Sequence, residues 1–230
     1  MKKKNILLQG MFDVSPLLLP VIPFGIIFGA ISIELGFSPL LTFATSIIIF
    51  SGASQIVFFQ LLSGGASPII AITSSSVIST RHLLYGAVVA QYLSKLSLTW
   101  KIFLSYLLTD QAFAVSQDFF KKNSNNENRH FYLLGSGLTL WIVWQITTII
   151  GIFLGSIVPE ELGLTFTIPL TFMALLINYF RKIDHLFVIF LSGILSIIFY
   201  NAPHKSYIIL SSLSSLLAIY LFYKFKSRKQ

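Results

Sequence analysis

Between residues 14 and 224 the chain passes through hydrophobic stretches long enough to cross a lipid bilayer, separated by short polar breaks. This rules out a single core folded in water. The composition agrees, with 55% hydrophobic and only 10% charged residues, where a soluble domain carries about 25% charged residues. Too little polar surface exists to coat a globule. The chain therefore reads as one all-α, polytopic membrane domain, 1–230, because helices satisfy their own backbone groups in hydrocarbon.

A span needs roughly 20 apolar residues. That rule gives eight segments: 12–34, 39–62, 68–93, 100–120, 131–157, 163–180, 184–200 and 207–224. Twelve of the sixteen Lys and Arg residues fall in the N-terminal tail, the loop 121–130, the loop 181–185 and the C-terminal tail. Basic residues concentrate on the cytoplasmic side, so both termini and loop 121–130 are predicted there. Lys95, Lys101 and Lys205 are exceptions. If 68–93 and 100–120 both re-enter from the cytoplasmic side, the first two come inside and six segments cross. Parity permits either arrangement, and full crossings are the reading preferred here.

The net charge of +8 does not point to nucleic acid, because the cations flank apolar runs. Met1 to Lys4 resembles the start of a signal peptide, but no small-residue cleavage site ends the first apolar run, which predicts an uncleaved helix. Zero cysteines exclude disulfides and thiolate metal sites. Aromatic pairs at segment ends (Phe119 and Phe120, Phe131 and Tyr132, Tyr179 and Phe180, Phe222 and Tyr223) predict an interfacial belt. The polar stretch Asn123 to Asn128 divides possible halves 1–120 and 131–230. Glu34 to Ser38 echoes Glu161 to Thr165, as two parallel repeats would and as chance would.

Helix-breaking and ionisable residues inside apolar segments mark where chemistry can occur. Pro16, Pro20 and Pro23 precede Gly25 and Gly29 in the first segment. Proline removes a helical hydrogen bond and small residues four apart allow close helix contact. The segment is either a kinked packing helix or a discontinuous helix lining a path. The second contains Phe50-Ser51-Gly52-Ala53-Ser54-Gln55, where Ser54 and Gln55 either bond to another helix or bind a zwitterion. The third centres on Ser79-Thr80-Arg81-His82. Ser79 and Thr80 are candidate N-caps of a half-helix whose positive end, with Arg81, attracts an anion such as an amino-acid carboxylate. Asp110 lies at a similar depth in 100–120. A charge at the bilayer centre costs at least ~2.5–3.5 kcal/mol, so Arg81 and Asp110 are expected to meet, as a static pair or as a site. His82 is a candidate for coupling or a packing residue. Gln145, Thr147, Thr148, Pro169, Asn178, Gly151 and Gly155 are weaker signals in the second half.

No Walker lysine motif, HExxH or GxSxG is present, and His82, His130, His185 and His204 lack ligand spacing. An enzyme is not expected, nor a cofactor or metal. Ser54 with His82 is the one nucleophile and base pair at comparable depth.

Pro23-Phe24-Gly25-Ile26-Ile27-Phe28-Gly29, Phe50-Ser51-Gly52-Ala53-Ser54-Gln55, Ser79-Thr80-Arg81-His82-Leu83-Leu84-Tyr85, Thr109-Asp110-Gln111-Ala112-Phe113, Gly137 to Trp141 and Gly163 to Pro169 together resemble the AzlC-type family. The order matches over nearly the whole chain. Gln111 stands where that family has an acidic residue, and its asparagine before the Arg–His pair is absent. The resemblance implies a permease of the bacterial plasma membrane that exports branched-chain amino acids with a small hydrophobic AzlD-type membrane subunit. The substrate carboxylate is then expected near Arg81, further polar contacts at Ser54, Gln55, Ser79 and Thr80, the apolar side chain against Phe24, Ile27 and Phe28, and proton coupling at Asp110. An exporter or channel for another solute, and a membrane scaffold, are the competing classes.

Overall fold

The computed structural model describes residues 3–123, 126–155, 183–202 and 207–227. They form α1 (Lys3–Val14), a 3-10 turn (Ser15–Leu17), α2 (Leu18–Glu34), α3 (Pro39–Ile49), α4 (Gly52–Ser63), α5 (Pro68–Ser79), α6 (Arg81–Leu93), α7 (Leu98–Tyr106), α8 (Asp110–Lys122), α9 (His130–Gly155), α10 (Ile183–Ile198) and α11 (Tyr207–Ser227). No strand occurs among the described residues. Segment 163–180, with Pro169 and Asn178, lies outside them, as do Glu160, Glu161, Arg181 and Lys182. The chain divides into two compact units, one from Met1–Ile56 with Ser75–Leu162, the other from Val57–Ser74 with Gly163–Gln230.

The first unit is organised by two helical stretches that are, among the described residues, long and apolar enough to cross a membrane, Lys3–Glu34 and His130–Gly155. They pack along their length on a seam of glycines. A Cβ on Gly10 would lie 3.2 Å from Ser136 N, one on Gly29 would lie 2.7 Å from Ile152 N, and one on Gly155 would lie 2.7 Å from Ala30 Cα. Backbones approach this closely only where side chains are missing. The matches Gly10 with Ser136, Gly29 with Ile152 and Ala30 with Gly155 rise together, so the two stretches run parallel. The first helix starts at Lys3 rather than at residue 12. Its prolines lie at and after the break between α1 and α2, in a stretch that packs on α9. Pro16 sits in the 3-10 turn, Pro20 in the first turn of α2, where amides lack intrahelical partners anyway, and Pro23 inside α2.

The His130 end of α9 is here the near end and Gly155 the far end. α6 arrives at the near end, where Arg129 Nε donates to the Tyr92 carbonyl at 2.9 Å. α7 starts there too, with Trp100 and His130 rings 5.3 Å apart. It ends at Tyr106, whose hydroxyl accepts from Trp141 Nε1 at 2.8 Å. α8 then returns: Ser116 meets Ser136 at 3.5 Å, and Phe119 stacks on Tyr132 at 3.9 Å. Segment 100–120 is therefore a hairpin that starts and ends at the near end of α9, the course of the re-entrant alternative rather than of the preferred crossing. Its helices have 9 and 13 residues, about 14 and 20 Å at 1.5 Å per residue, each short of the ~30 Å hydrocarbon layer. Thr80 has helical angles (φ −58°, ψ −25°), so α5 passes into α6 without reversing.

The belt reading fails for three aromatics. Phe119, Phe120 and Tyr132 are buried, because α8 folds back over the start of α9 and covers them. Phe222 and Tyr223 are exposed, as a belt requires. In the second unit, α10 packs on α11. Leu61, Ala66 and Ala71 form a small core with Val57, Phe58, Leu62 and Ile70. Gly65, at φ +81°, closes the end of α4: Ala66 N–H bonds Leu61 O at 2.8 Å, a turn that needs a residue tolerant of positive φ.

Candidate functional site

Three helix junctions converge in the first unit, level with the middle of α9. The first lies between α3 and α4. Ser38 caps α3 by accepting from Leu41 N–H, with Pro39 following. The helix ends at Phe50, forced to φ 39° and ψ 45°, a left-handed conformation that costs roughly 1–2 kcal/mol for an L residue. The second junction is Thr80. The third is Leu107 to Thr109, where Thr109 turns extended (φ −87°, ψ 174°) and α8 restarts at Asp110.

Short contacts join the junctions pairwise. Phe50 and Tyr106 rings lie 5.7 Å apart, and Tyr106 donates its hydroxyl hydrogen to Ile47 O. Ser54 and Ser79 hydroxyls are 2.7 Å apart, and Ser51 meets Ser54 at 3.1 Å. Arg81 Nη1 reaches Asp110 Oδ2 at 3.1 Å. α9 closes one side: Gln145 donates to Ser46 O at 3.3 Å, and the Trp144 ring fills the space where Gly52 lacks a side chain, 2.7 Å from a Cβ built there. Gly52 is thus a packing glycine against Trp144 and Phe24.

The expected encounter of Arg81 and Asp110 is present, and the pair is not sealed. Their side chains are 36% and 38% exposed, while Arg81 Nε and Asp110 Oδ1 are individually buried and carry no hydrogen bond. Asp110 occupies the first position of α8, where the first amides lack intrahelical partners and negative charge is favoured. Phe113 N–H to Thr109 O, at 2.8 Å, is the first bond of that helix. Gln55 is 0% exposed, and neither atom of its carboxamide head is bonded.

Other expected residues fall elsewhere. Neither Ser79 nor Thr80 caps α6. Thr80 Oγ1 turns back to Val77 O at 2.6 Å, and Ser79 is taken by Ser54. The near-helical backbone at Thr80 lacks the extended conformation in which a cap side chain turns onto the first amides. Phe28, 1% exposed, stacks on Trp144 at 5.9 Å within the α2 and α9 packing. Phe24 also meets Trp144 at 5.9 Å and abuts Gly52. Ile27 is half-buried. Gly25 and Gly29 lie in the glycine seam. His82 is half-buried beside the pair, its ring 5.9 Å from Tyr85, which in turn stacks on Phe113 at 4.5 Å.

Sequence reasoning missed Tyr106, Trp141 and Trp144, which support the junctions, and Asp13, which accepts from the Tyr132 hydroxyl at 2.6 Å. A tyrosine or tryptophan inside an apolar run needs a partner for its polar atom, and that signal was available. Among the described residues no group of three His, Cys, Asp or Glu is placed to hold a metal ion.

A guanidinium touching a carboxylate, beside a helix N-terminus and partly open, can hold a zwitterion by exchanging its internal contact for two external ones. Residues 16–158 match the AzlC protein family. The chain is 30% identical to the inner membrane protein YgaZ of Escherichia coli K12, over 76% of this chain and 74% of that protein. It is 32% identical to an uncharacterised membrane protein of Archaeoglobus fulgidus, over 77% of each. It is 26% identical to the branched-chain amino acid transport protein AzlC of Bacillus subtilis, over 69% of this chain and 61% of that protein. No solved structure matches.

Proposed function

The chain belongs to the AzlC protein family, and from that premise we propose that it is a multi-pass permease of the bacterial plasma membrane exporting leucine, isoleucine and valine. One observation carries the proposal: Arg81 and Asp110 meet at 3.1 Å where three helix junctions converge, level with the middle of the 26-residue helix α9. Discontinuous helices at mid-membrane are where transporters place substrate. The parallel course of the two long helices and the distribution of Lys and Arg support a cytoplasmic near end and cytoplasmic termini. The exposed apolar faces of the helices fit lipid and a small AzlD-type subunit.

The substrate carboxylate bonds Arg81 and the first amides of α8, and its ammonium bonds Asp110. Gln55, Ser54 and Ser79 supply further polar partners when the junctions shift. Ammonium and proton compete for the same carboxylate, so loading from the cytoplasm releases a proton and protonation from outside releases substrate. The zwitterion is net neutral, and the returning proton carries the charge. Each charge crossing 100 mV is worth about 2.3 kcal/mol, enough to drive uphill export.

The test is leucine movement in vesicles with Asp110→Asn. Loss of proton-driven net efflux with leucine counterflow retained is expected. Proton-driven efflux at the original rate removes Asp110 from coupling. A wild-type chain that moves no branched-chain amino acid, alone or with a small partner subunit, overturns the function.

A further inference from the structure

Resting on that function, the geometry points to a separate aliphatic pocket for the substrate side chain, between α6 and α7, with Gly86 and Ala90 as the positions that set its size. A cavity of about 350 Å³ lies there. Its walls are Val89, Leu93, Leu104, Leu108 and Leu133, all buried, with the small residues Gly86 and Ala90 leaving the α6 side open. The volume falls at the lower end of the range for small-ligand pockets. No carboxylate lines it. Ser94 and Lys101 stand at its near-end mouth, where Lys101 Nζ donates to Ser94 O at 2.8 Å.

Two connections tie the cavity to the ion pair. Leu108 belongs to the junction between α7 and α8 and lies two positions before Asp110, with Thr109 between them. Gly86 follows Arg81 by little more than one turn of α6. The cavity therefore extends from the near end toward the level of the ion pair, with Gly86 and Leu108 as its lining residues nearest to Arg81 and Asp110 in the chain. Phe28, expected from sequence to face the side chain, is instead packed against Trp144, so an apolar pocket was unaccounted for. Leu93 and Leu133 mark its near-end half. That position gives it a second consequence: it is the inner vestibule, and the side chain fits it before the head group reaches Arg81.

Gly86 makes the inference testable without disturbing the packing, because a Cβ built there meets nothing within 4 Å. Glycine is also a poor residue inside a helix, so Gly86→Leu is not expected to weaken α6. Filling the pocket removes room for a branched chain and leaves room for a small one. One methylene more or less in an apolar pocket discriminates about 10–200-fold. Gly86→Leu and, separately, Ala90→Leu are expected to lower the ratio of leucine to alanine efflux at least about tenfold. An unchanged ratio overturns the pocket and leaves the permease standing. Equal loss of both substrates also overturns it, since a lipid-filled groove or a folding defect predicts that result. Wild-type vesicles that move no leucine overturn both readings at once.

A second measurement does not depend on net transport. The chain has no cysteine, so Ala90→Cys carries a single thiol. Leucine is expected to slow its reaction with a membrane-permeant maleimide, and alanine to leave it nearly unchanged. Equal rates with and without leucine overturn the pocket.

Discussion

Tyr106 holds Phe50 in place. The two rings meet at 5.7 Å, and the tyrosine hydroxyl donates to the carbonyl of Ile47, a turn before Phe50, while accepting from Trp141. One side chain thus ties the end of α3, the tip of the α7 and α8 hairpin and the middle of α9. Tyr106→Phe keeps the ring contact and removes both hydrogen bonds. A net hydrogen bond is worth about 0.5–1.5 kcal/mol, so the loss should be about 1–3 kcal/mol. The check is a lower thermal midpoint in detergent. Phe50 is held in a strained conformation, so leucine efflux should fall further than the stability loss explains.

Charge pairing predicts a separable result for Arg81 and Asp110. Breaking a sealed pair costs about 3–5 kcal/mol. This pair is more than one-third exposed, so about 1–3 kcal/mol is expected for Arg81→Gln or Asp110→Asn. The exchange Arg81→Asp with Asp110→Arg restores opposite charges, but puts a cation at the first position of α8, where the helix dipole opposes it. Folding, read by monodispersity and thermal midpoint, should recover in part. Leucine efflux should not, because the carboxylate-binding group no longer adds to the helix N-terminus. Recovery of both would show that the pair is a structural strut.

That pair was legible because charge is scarce in the apolar segments, so Arg81 and Asp110 had few alternatives to each other. The stretch Phe50 to Gln55 was legible for a similar reason, as small and polar groups interrupting Ile and Phe. The hairpin at 98–122 was legible only as the re-entrant alternative, which Lys95 and Lys101 raised. Its 21-residue apolar run at 100–120 has the length of a crossing, and only Thr109, extended before Asp110, turns it back. At that position residue type does not separate a tip from a mid-span, so the signal came only from Lys95 and Lys101 at the other end. Tyr132 and Phe119 were misread because an aromatic at a segment end suits an interface equally well when another helix covers it. Asp13 was overlooked because the first helix was read from residue 12, which left its carboxylate at the apparent boundary.

The glycine seam predicts a strong position dependence. A Cβ on Gly29 would sit 2.7 Å from Ile152 N and 2.9 Å from Gly151 C. Both neighbours are backbone and cannot rotate aside. Gly29→Ala should force α2 and α9 apart at an overpacking cost of about 1–3 kcal/mol, although alanine favours a helix. Gly193→Ala on α10 is the control, since a Cβ there meets nothing within 4 Å. The seam is wrong if both variants unfold at the same temperature.

Gln55 leads to a substitution that should raise stability while lowering transport. Its carboxamide is fully buried, and its oxygen and nitrogen have no hydrogen-bond partner. A buried polar group left unpaired costs about 1–3 kcal/mol, and leucine has nearly the same shape without that cost. Gln55→Leu should therefore raise the thermal midpoint in detergent. A resting residue that lowers stability fits a group whose partner is the substrate or a rearranged junction, a trade-off common at functional positions. Leucine efflux should drop at least about tenfold, with a smaller loss for Gln55→Glu at a pH low enough to keep its carboxyl neutral. Added leucine should also raise the midpoint of the wild-type chain, since a ligand of the folded state stabilises it, and should do so less for Gln55→Leu. If Gln55→Leu is less stable than the wild type and equally active, the carboxamide is a bonded packing group and has no part in binding.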